Sequence, residues 1–313
     1  MDGDVIAGAP FWVYQDEYAL PILTSPEIIE EFRKLDLRHD DVFIVTYPKS
    51  GTHWMQEIVH LIFADGHSDR VTANERRIVV EMVDVKSPDL VPQGVPGFRL
   101  MKDSPSPRVF STHVQCPLLP EQIWKKRCRV IYVYRHPKDV IVSFYNFHLK
   151  LYNTFGGIKA VDSPVQFDHF FKTVTSGQIE YGMWMDHVKQ YCKYKDEPNF
   201  LFVSYEDMKT DLHLIVKKVA KFLNRELDNE AMKRILHGAS FSTMKENFRK
   251  DSMANEALEK NNVDLNVFLN KGEVSQWKER FTAEQNDTFD KAFKTKMRSC
   301  ELTKRYVLEE AKL

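Results

Sequence analysis

The stretch Asp41–Phe63, DVFIVTYPKSGTHWMQEIVHLIF, constrains the fold more than any other part of this chain. Asp41–Tyr47 is β-branched and aromatic almost throughout, which suits a strand covered on both faces in a parallel sheet. Pro48-Lys49-Ser50-Gly51-Thr52 then turns the backbone. A helix is expected to start near His53, with Trp54, Ile58, Leu61 and Ile62 as its buried stripe. Glycine at the tight point of such a turn lets backbone N–H groups face an anion at the helix N-terminus, where the dipole also favours negative charge. Lys49 adds a full positive charge, and Ser50 and Thr52 add hydroxyl donors. Lys-Ser-Gly-Thr alone also suits a plain strand-to-helix turn with a solvated lysine.

The same alternation recurs downstream. Arg129–Tyr134 (RVIYVY) and Asn199–Tyr205 (NFLFVSY) are expected strands, and Val109–His113 is strand-like. Asp211–Leu223 places Leu212, Ile215, Val216, Val219, Phe222 and Leu223 on one helical face. Thr282-Ala283-Glu284-Gln285 forms a capping box ahead of Phe289, Phe293 and Met297 at helical spacing. Strand–helix alternation predicts an α/β fold with a central, mostly parallel sheet flanked by helices. At 313 residues, with no internal repeat and no dividing linker, a single domain over 1–313 is expected. Three stretches read as loops: the proline-dense Ser87–Pro107, then Asn153–Pro164 and Asn247–Asn266.

Charge narrows the partners. Lys+Arg at 44 nearly cancel Asp+Glu at 45, whereas a duplex-binding protein carries a basic excess, so no nucleic-acid partner is expected. No apolar run approaches the ~18 residues of a membrane span. The acidic start Met1-Asp2-Gly3-Asp4 lacks the basic-then-apolar pattern of a signal peptide. A cytoplasmic protein with no membrane partner follows. Cys116, Cys128, Cys192 and Cys300 form no C-x-x-C pair and are expected to be free thiols. His53, Glu57 and His60 share one face of the helix after the turn. Opposite the apolar stripe, that face is expected to be solvated rather than metal-bound.

The Lys49 turn departs from G-x-x-x-x-G-K-[ST]: the first glycine is missing, and glycine follows the lysine. Arg129–Tyr134 leads into Arg135-His136-Pro137-Lys138-Asp139, not into the Asp that holds magnesium in a nucleotide triphosphatase. An arginine there suggests a second phosphate bound by charge. Tyr47-Pro48-Lys49-Ser50-Gly51-Thr52-x-Trp54 resembles the 5′-phosphosulfate signature of the cytosolic sulfotransferases. Arg135-x-Pro137-x-Asp139-x-x-x-Ser143 resembles their 3′-phosphate signature. Lys271-Gly272-x-x-x-x-Trp277-Lys278, followed by Phe281-Thr282, is similar to their closing segment. The three matches keep the family's order, and the likeness runs from about Gly8 to Met297.

The resemblance implies an enzyme that moves the sulfuryl group of 3′-phosphoadenylyl sulfate (PAPS) to a hydroxyl or amine, leaving 3′-phosphoadenosine 5′-phosphate (PAP). It implies that Lys49, Ser50, Gly51, Thr52 and His53 wrap the phosphosulfate, that Trp54 stacks on the adenine with Tyr205 nearby, and that Arg135 and Ser143 hold the 3′-phosphate. Ser240, Phe241 and Met244, and then Phe268, Leu269, Asn270, Lys271 and Gly272, match the remaining nucleotide segments. His113 matches the family's catalytic base, a role that suits an imidazole near neutrality, and Lys49 would stabilise the leaving group. Ser111, His113 and Phe147 would face a small, apolar acceptor such as a phenol, steroid or related alcohol.

Several positions depart from the family pattern. His53 stands where many members have Thr, and Ser111 where phenol-type members have Lys and steroid-type members Ser. Ala239 replaces a Thr, and Asn270 replaces the Arg ahead of Lys-Gly. The family's dimer motif survives only as Lys278, Thr282, Ala283 and Asp287, which predicts a monomer or weak homodimer. No metal is expected. A non-catalytic PAPS/PAP-binding protein and a nucleotide kinase remain as alternatives, the kinase lacking the glycine and Asp it would need.

Overall fold

A computed structural model of the chain describes residues 10–71, 80–82, 95–155, 161–250 and 272–306. An antiparallel hairpin, β1 (Phe11–Tyr14) and β2 (Tyr18–Pro21), opens the described fold, followed by α1 (Pro26–Arg33). Next come β3 (Val42–Thr46), α2 (Thr52–Phe63), the short α3 (Gly97–Leu100), β4 (Val109–Thr112), α4 (Gln122–Lys126) and β5 (Arg129–Tyr134). They are followed by α5 (Pro137–Phe155), α6 (Pro164–Ser176), α7 (Trp184–Cys192), β6 (Phe200–Ser204), α8 (Tyr205–Thr210), α9 (Leu212–Phe222), α10 (Asn229–Gly238) and α11 (Phe241–Lys250). Helices Trp277–Arg280 and Ala283–Lys296 lie toward the C-terminus.

The larger sheet has the order β4-β3-β5-β6, and every pairing in it is parallel. Its apolar runs are buried because both faces are covered. Val42 and Ile44 of β3, with Ile131 and Val133 of β5, pack with α2, α9 and α10. The alternate residues Phe43, Val45, Val130 and Tyr132 join the aromatic core of α5, α6 and α7 on the other face. From β3 the chain runs to β4 on one side and then to β5 on the other. Such a reversal opens a crevice at the carboxyl ends of the strands, where ligands bind in open α/β sheets. Lys49, His113, Arg135 and Tyr205 all follow within three residues of a strand's carboxyl end.

The capping box forms as the sequence suggests, with the Thr282 hydroxyl accepting from the Gln285 N–H and the Gln285 side chain returning to Thr282. Three expectations are corrected. Glu57 and His60 are buried and His53 is half-buried, because α10 and the sheet enclose α2 on nearly all sides; Trp54 is only half-buried. Cys192 and Cys300 form a disulfide, their Cα atoms 5.9 Å apart, because α7 brings its end beside the C-terminal segment; Cys116 and Cys128 are free and buried. The loop stretches are also shorter than expected. Gly97–Leu100 is helical, α5 continues to Phe155, and α11 takes up residues 247–250. Residues 83–94, 156–160 and 251–271 lie outside the described residues. No described helix is long and apolar enough to cross a membrane.

Candidate active site

The turn after β3 is shaped by two left-handed residues, Lys49 at φ +67° and Gly51 at φ +109°. Only glycine fits at position 51, where a Cβ would come within 2.8 Å of the Tyr205 ring. Gly51 is the N-cap of α2, and no side chain caps that helix. The first amides of α2 therefore keep their donors for a ligand. Ser50 is fully buried and its Oγ has no hydrogen-bond partner among the described residues. Lys49 Nζ lies 4.5 Å from the centroid of the Phe147 ring. Burial, then the Arg135 and Lys150 charges, pull its ammonium down to about 7. The half-buried His53 is pulled down to about 3 by burial first and then by the charges of Lys49 and His113.

Arg135 packs against that turn. Its Nη1 donates to the Lys49 carbonyl at 3.1 Å and its Nη2 to the Glu273 carbonyl at 2.8 Å. The guanidinium lies 4.5 Å above the Tyr205 ring, and its buried Nε has no partner among the described residues. Ser143 is buried on α5. Asp139, placed with Arg135 in the same motif, accepts the Ser275 N–H at 2.7 Å and the Trp277 N–H at 3.1 Å, so it anchors the returning C-terminal segment. Burial raises its carboxyl, while Arg135 and the amides oppose the shift.

That returning segment begins at Gly272, φ +68°, where a Cβ would meet the Phe241 ring at 3.4 Å and the Tyr205 hydroxyl at 3.5 Å. Trp54 stands edge-on to Tyr205 at 5.5 Å and donates from Nε1 to the Ala239 carbonyl at 2.8 Å. Ser240 accepts the Thr243 N–H at 3.3 Å and so caps α11, with Phe241 exposed and Met244 buried. Trp54, Tyr205, Phe241 and Gly272 thus converge. Phe268, Leu269, Asn270 and Lys271 lie outside the described residues.

His113 follows β4. Its Nδ1 lies 2.8 Å from the Thr46 carbonyl, a bond that needs the proton on Nδ1 and leaves the Nε2 lone pair unprotonated. Thr46 Oγ1 lies 3.0 Å from the same nitrogen and 2.7 Å from Thr52 Oγ1, so the imidazole and the Lys49 turn share one polar chain. Burial pulls the imidazole down to about 4, the Thr46 carbonyl opposing the shift and the Lys49 charge adding to it. The His113 N–H donates to Glu81 Oε1 at 3.2 Å, and its carbonyl lies 3.0 Å from His187 Nε2. Tyr181 stands edge-on to the ring at 5.3 Å. Burial raises the Glu81 carboxyl to about 7 and lowers His187 to about 3. Ser111 is fully buried on β4 with its Oγ unpartnered among the described residues, whereas Phe147 sits beside Lys49. Sequence reasoning missed Thr46, Glu81, Tyr181 and His187. Only Thr46 left a signal, as the one hydroxyl closing an otherwise apolar strand.

The uncapped start of α2, Lys49 and Arg135 thus meet at the carboxyl ends of the parallel strands, with His113 following the neighbouring strand. Residues 39–301 match the family model described as Sulfotransferase domain, and the chain belongs to that family. It is 35% identical over 273 residues to Sulfotransferase 1B1 of Mus musculus, covering 87% of this chain and 86% of the relative. It is 32% identical over 282 residues to the Amine sulfotransferase of Oryctolagus cuniculus, covering 88% and 87%. The crystal structure of mouse sulfotransferase SULT7A1 complexed with PAP superposes with a TM-score of 0.75 at 30% identity, over 96% of this chain and 98% of that one. The chain is a sulfotransferase.

Proposed function

We propose that this protein transfers the sulfuryl group of PAPS to a hydroxyl or amine of a small, apolar acceptor, with Lys49 and His113 as its catalytic residues. The observation that carries the reading is the pair of orphaned buried donors, Ser50 Oγ in the Lys49 turn and Arg135 Nε on the arginine that hydrogen-bonds to that turn, beside an uncapped helix. Buried polar atoms without partners cost about 1–3 kcal/mol each, which a ligand bearing phosphate at two positions would recover. A nucleotide with a 5′-phosphosulfate and a 3′-phosphate supplies an anion for each of the two. The PAP bound to mouse SULT7A1 supports the same choice.

PAPS supplies an activated sulfur whose leaving group is a phosphate oxygen. Lys49, the first amides of α2 and the hydroxyls of Ser50 and Thr52 hold the 5′ end, with His53 beside them. Trp54 and Tyr205 flank the base, with Ser240, Phe241, Met244 and Gly272 alongside. Arg135 and Ser143 bind the 3′-phosphate. His113 Nε2 takes the acceptor's proton as the acceptor oxygen or nitrogen bonds to sulfur. The sulfur–oxygen bond to the 5′-phosphate breaks, and its electron pair stays on the phosphate oxygen beside Lys49. No metal enters, since Lys49, Arg135 and the amides supply the positive charge. Phe147, with its ring beside Lys49, and Ser111 on β4 face the acceptor in this reading.

The protein acts in the cytoplasm as a monomer or weak homodimer. Of the residual dimer motif, Thr282 already spends its hydroxyl on capping a helix. Labelled-PAPS transfer to a panel of phenols, steroid alcohols and amines tests the function. Product from at least one acceptor class supports it. PAP binding with no transfer to any class contradicts it and favours a non-catalytic binder.

A further inference from the structure

Beneath Arg135 lies a second layer that no signature residue explains. Glu206, the second residue of α8, is half-buried with both carboxylate oxygens engaged. Oε1 accepts the N–H of His136, the peptide immediately after Arg135, at 2.9 Å. Oε2 accepts the Tyr306 hydroxyl at 2.8 Å. Tyr306 is 1% exposed and stands edge-on to the His136 ring at 4.9 Å, while His136 stacks on Trp277 at 5.6 Å and 2°. Its neighbour Arg305 donates from Nη1 to Ser204 Oγ at 2.9 Å and to Asp207 Oδ1 at 2.8 Å, in the first turn of α8. That turn begins with Tyr205, the ring beneath the Arg135 guanidinium. The C-terminal segment therefore grips both the backbone that carries Arg135 and the platform on which it rests.

We propose that Tyr306 is a positioning residue of the nucleotide site, fixing through Glu206 the turn that aims Arg135 at the 3′-phosphate. The inference rests on the 3′-phosphate role of Arg135 given above. Arg135 binds through carbonyls on two other segments, so its aim depends on where its own backbone sits. The His136 N–H to Glu206 bond sets that position, and the Tyr306 hydroxyl holds the carboxylate in place. Loss of the hydroxyl removes the donor that holds Glu206 Oε2, and the half-buried carboxylate is free to turn toward another partner or solvent. A tail that merely stabilises the fold would instead affect every ligand alike.

Calorimetric titration of Y306F and R135A with PAP and with adenosine 5′-phosphate separates the possibilities, melting temperature being measured alongside. Phe keeps the ring contacts and removes only the hydroxyl. Y306F should weaken PAP about tenfold and leave adenosine 5′-phosphate within about twofold, because only PAP carries the 3′-phosphate. Equal weakening of both ligands, or no weakening of PAP, overturns the proposal, provided R135A shows its own PAP-selective loss. If R135A weakens both ligands equally, the 3′-phosphate assignment itself fails and the proposal falls with it. Should Y306F not fold, Arg305→Gln, which loosens the same turn of α8, is read in the same way.

Discussion

Nucleotide binding at the Lys49 turn should draw in a proton. Burial, with Arg135 and Lys150 nearby, pulls the Lys49 ammonium down to about 7. An amine at that value is only about one tenth charged at pH 8. A phosphate or phosphosulfate against the amine favours the charged form and drives the value back up. Binding of PAP should therefore take up about 0.9 proton at pH 8, and far less at pH 6, where the free amine is already about nine tenths charged. The phosphates of PAP cannot supply this uptake, since at pH 8 they are past their second ionisation near ~6 and cationic contacts keep them there. Calorimetric titration in buffers of different ionisation enthalpy gives the proton count as the slope of apparent enthalpy against buffer enthalpy. Lys49→Met should abolish the slope. A slope of zero in the wild type at pH 8, or one unchanged in Lys49→Met, would refute the picture of a desolvated lysine waiting for an anion.

Other outcomes follow from the same geometry. Gly51→Ala puts a side chain into a left-handed conformation, costing about 1–2 kcal/mol, and drives its methyl onto Tyr205; PAP affinity and melting temperature should both fall, and unchanged values would contradict the tight approach. Stability should fall steeply with acid. Buried His113, His136 and His187, held down to about 4, about 3 and about 3, stay neutral when folded but charge when unfolded, so each loses stability as the pH drops below 6.5. Glu81, raised to about 7, acts in the opposite sense between pH 4.5 and 7, as do the raised Asp139 and Glu206, while His53, held to about 3, adds to the loss. Urea melts from pH 7 to 5 check this, and a flat profile would contradict it. Turnover should survive a chelator unchanged; its loss, restored by a divalent ion, would overturn the metal-free reading.

The strands and the Lys49 turn were legible because their determinants are local: unbroken apolar runs, a glycine at a left-handed position, a lysine and two hydroxyls in one turn. The surroundings of His113 were not. Thr46 and Glu81 reach it only because β4 pairs with β3 and residues 80–82 run beside β4, contacts separated by 67 and 32 residues. The burial of Glu57 and His60 depends on α10 covering α2, which helical periodicity within α2 does not encode. The Cys192–Cys300 bond spans 108 residues and arises from where two helical segments end, so spacing among four cysteines carries no trace of it. Tyr306 and Glu206 also belong to this tertiary layer, joined across 100 residues by a contact that no motif spells out.

The most direct test of the account is sulfuryl transfer itself by wild type and His113→Ala, with labelled PAPS and an aliphatic alcohol acceptor, in protein matched for melting temperature and PAP affinity. A positioned base contributes about 10² to 10⁴ in rate, and an acceptor with a high pKa needs it most. The wild type should turn over and His113→Ala should fall at least about 10²-fold, with PAP affinity nearly unchanged because the imidazole faces the acceptor. Near wild-type turnover in His113→Ala would contradict the claim that this imidazole, locked by Thr46, is the base.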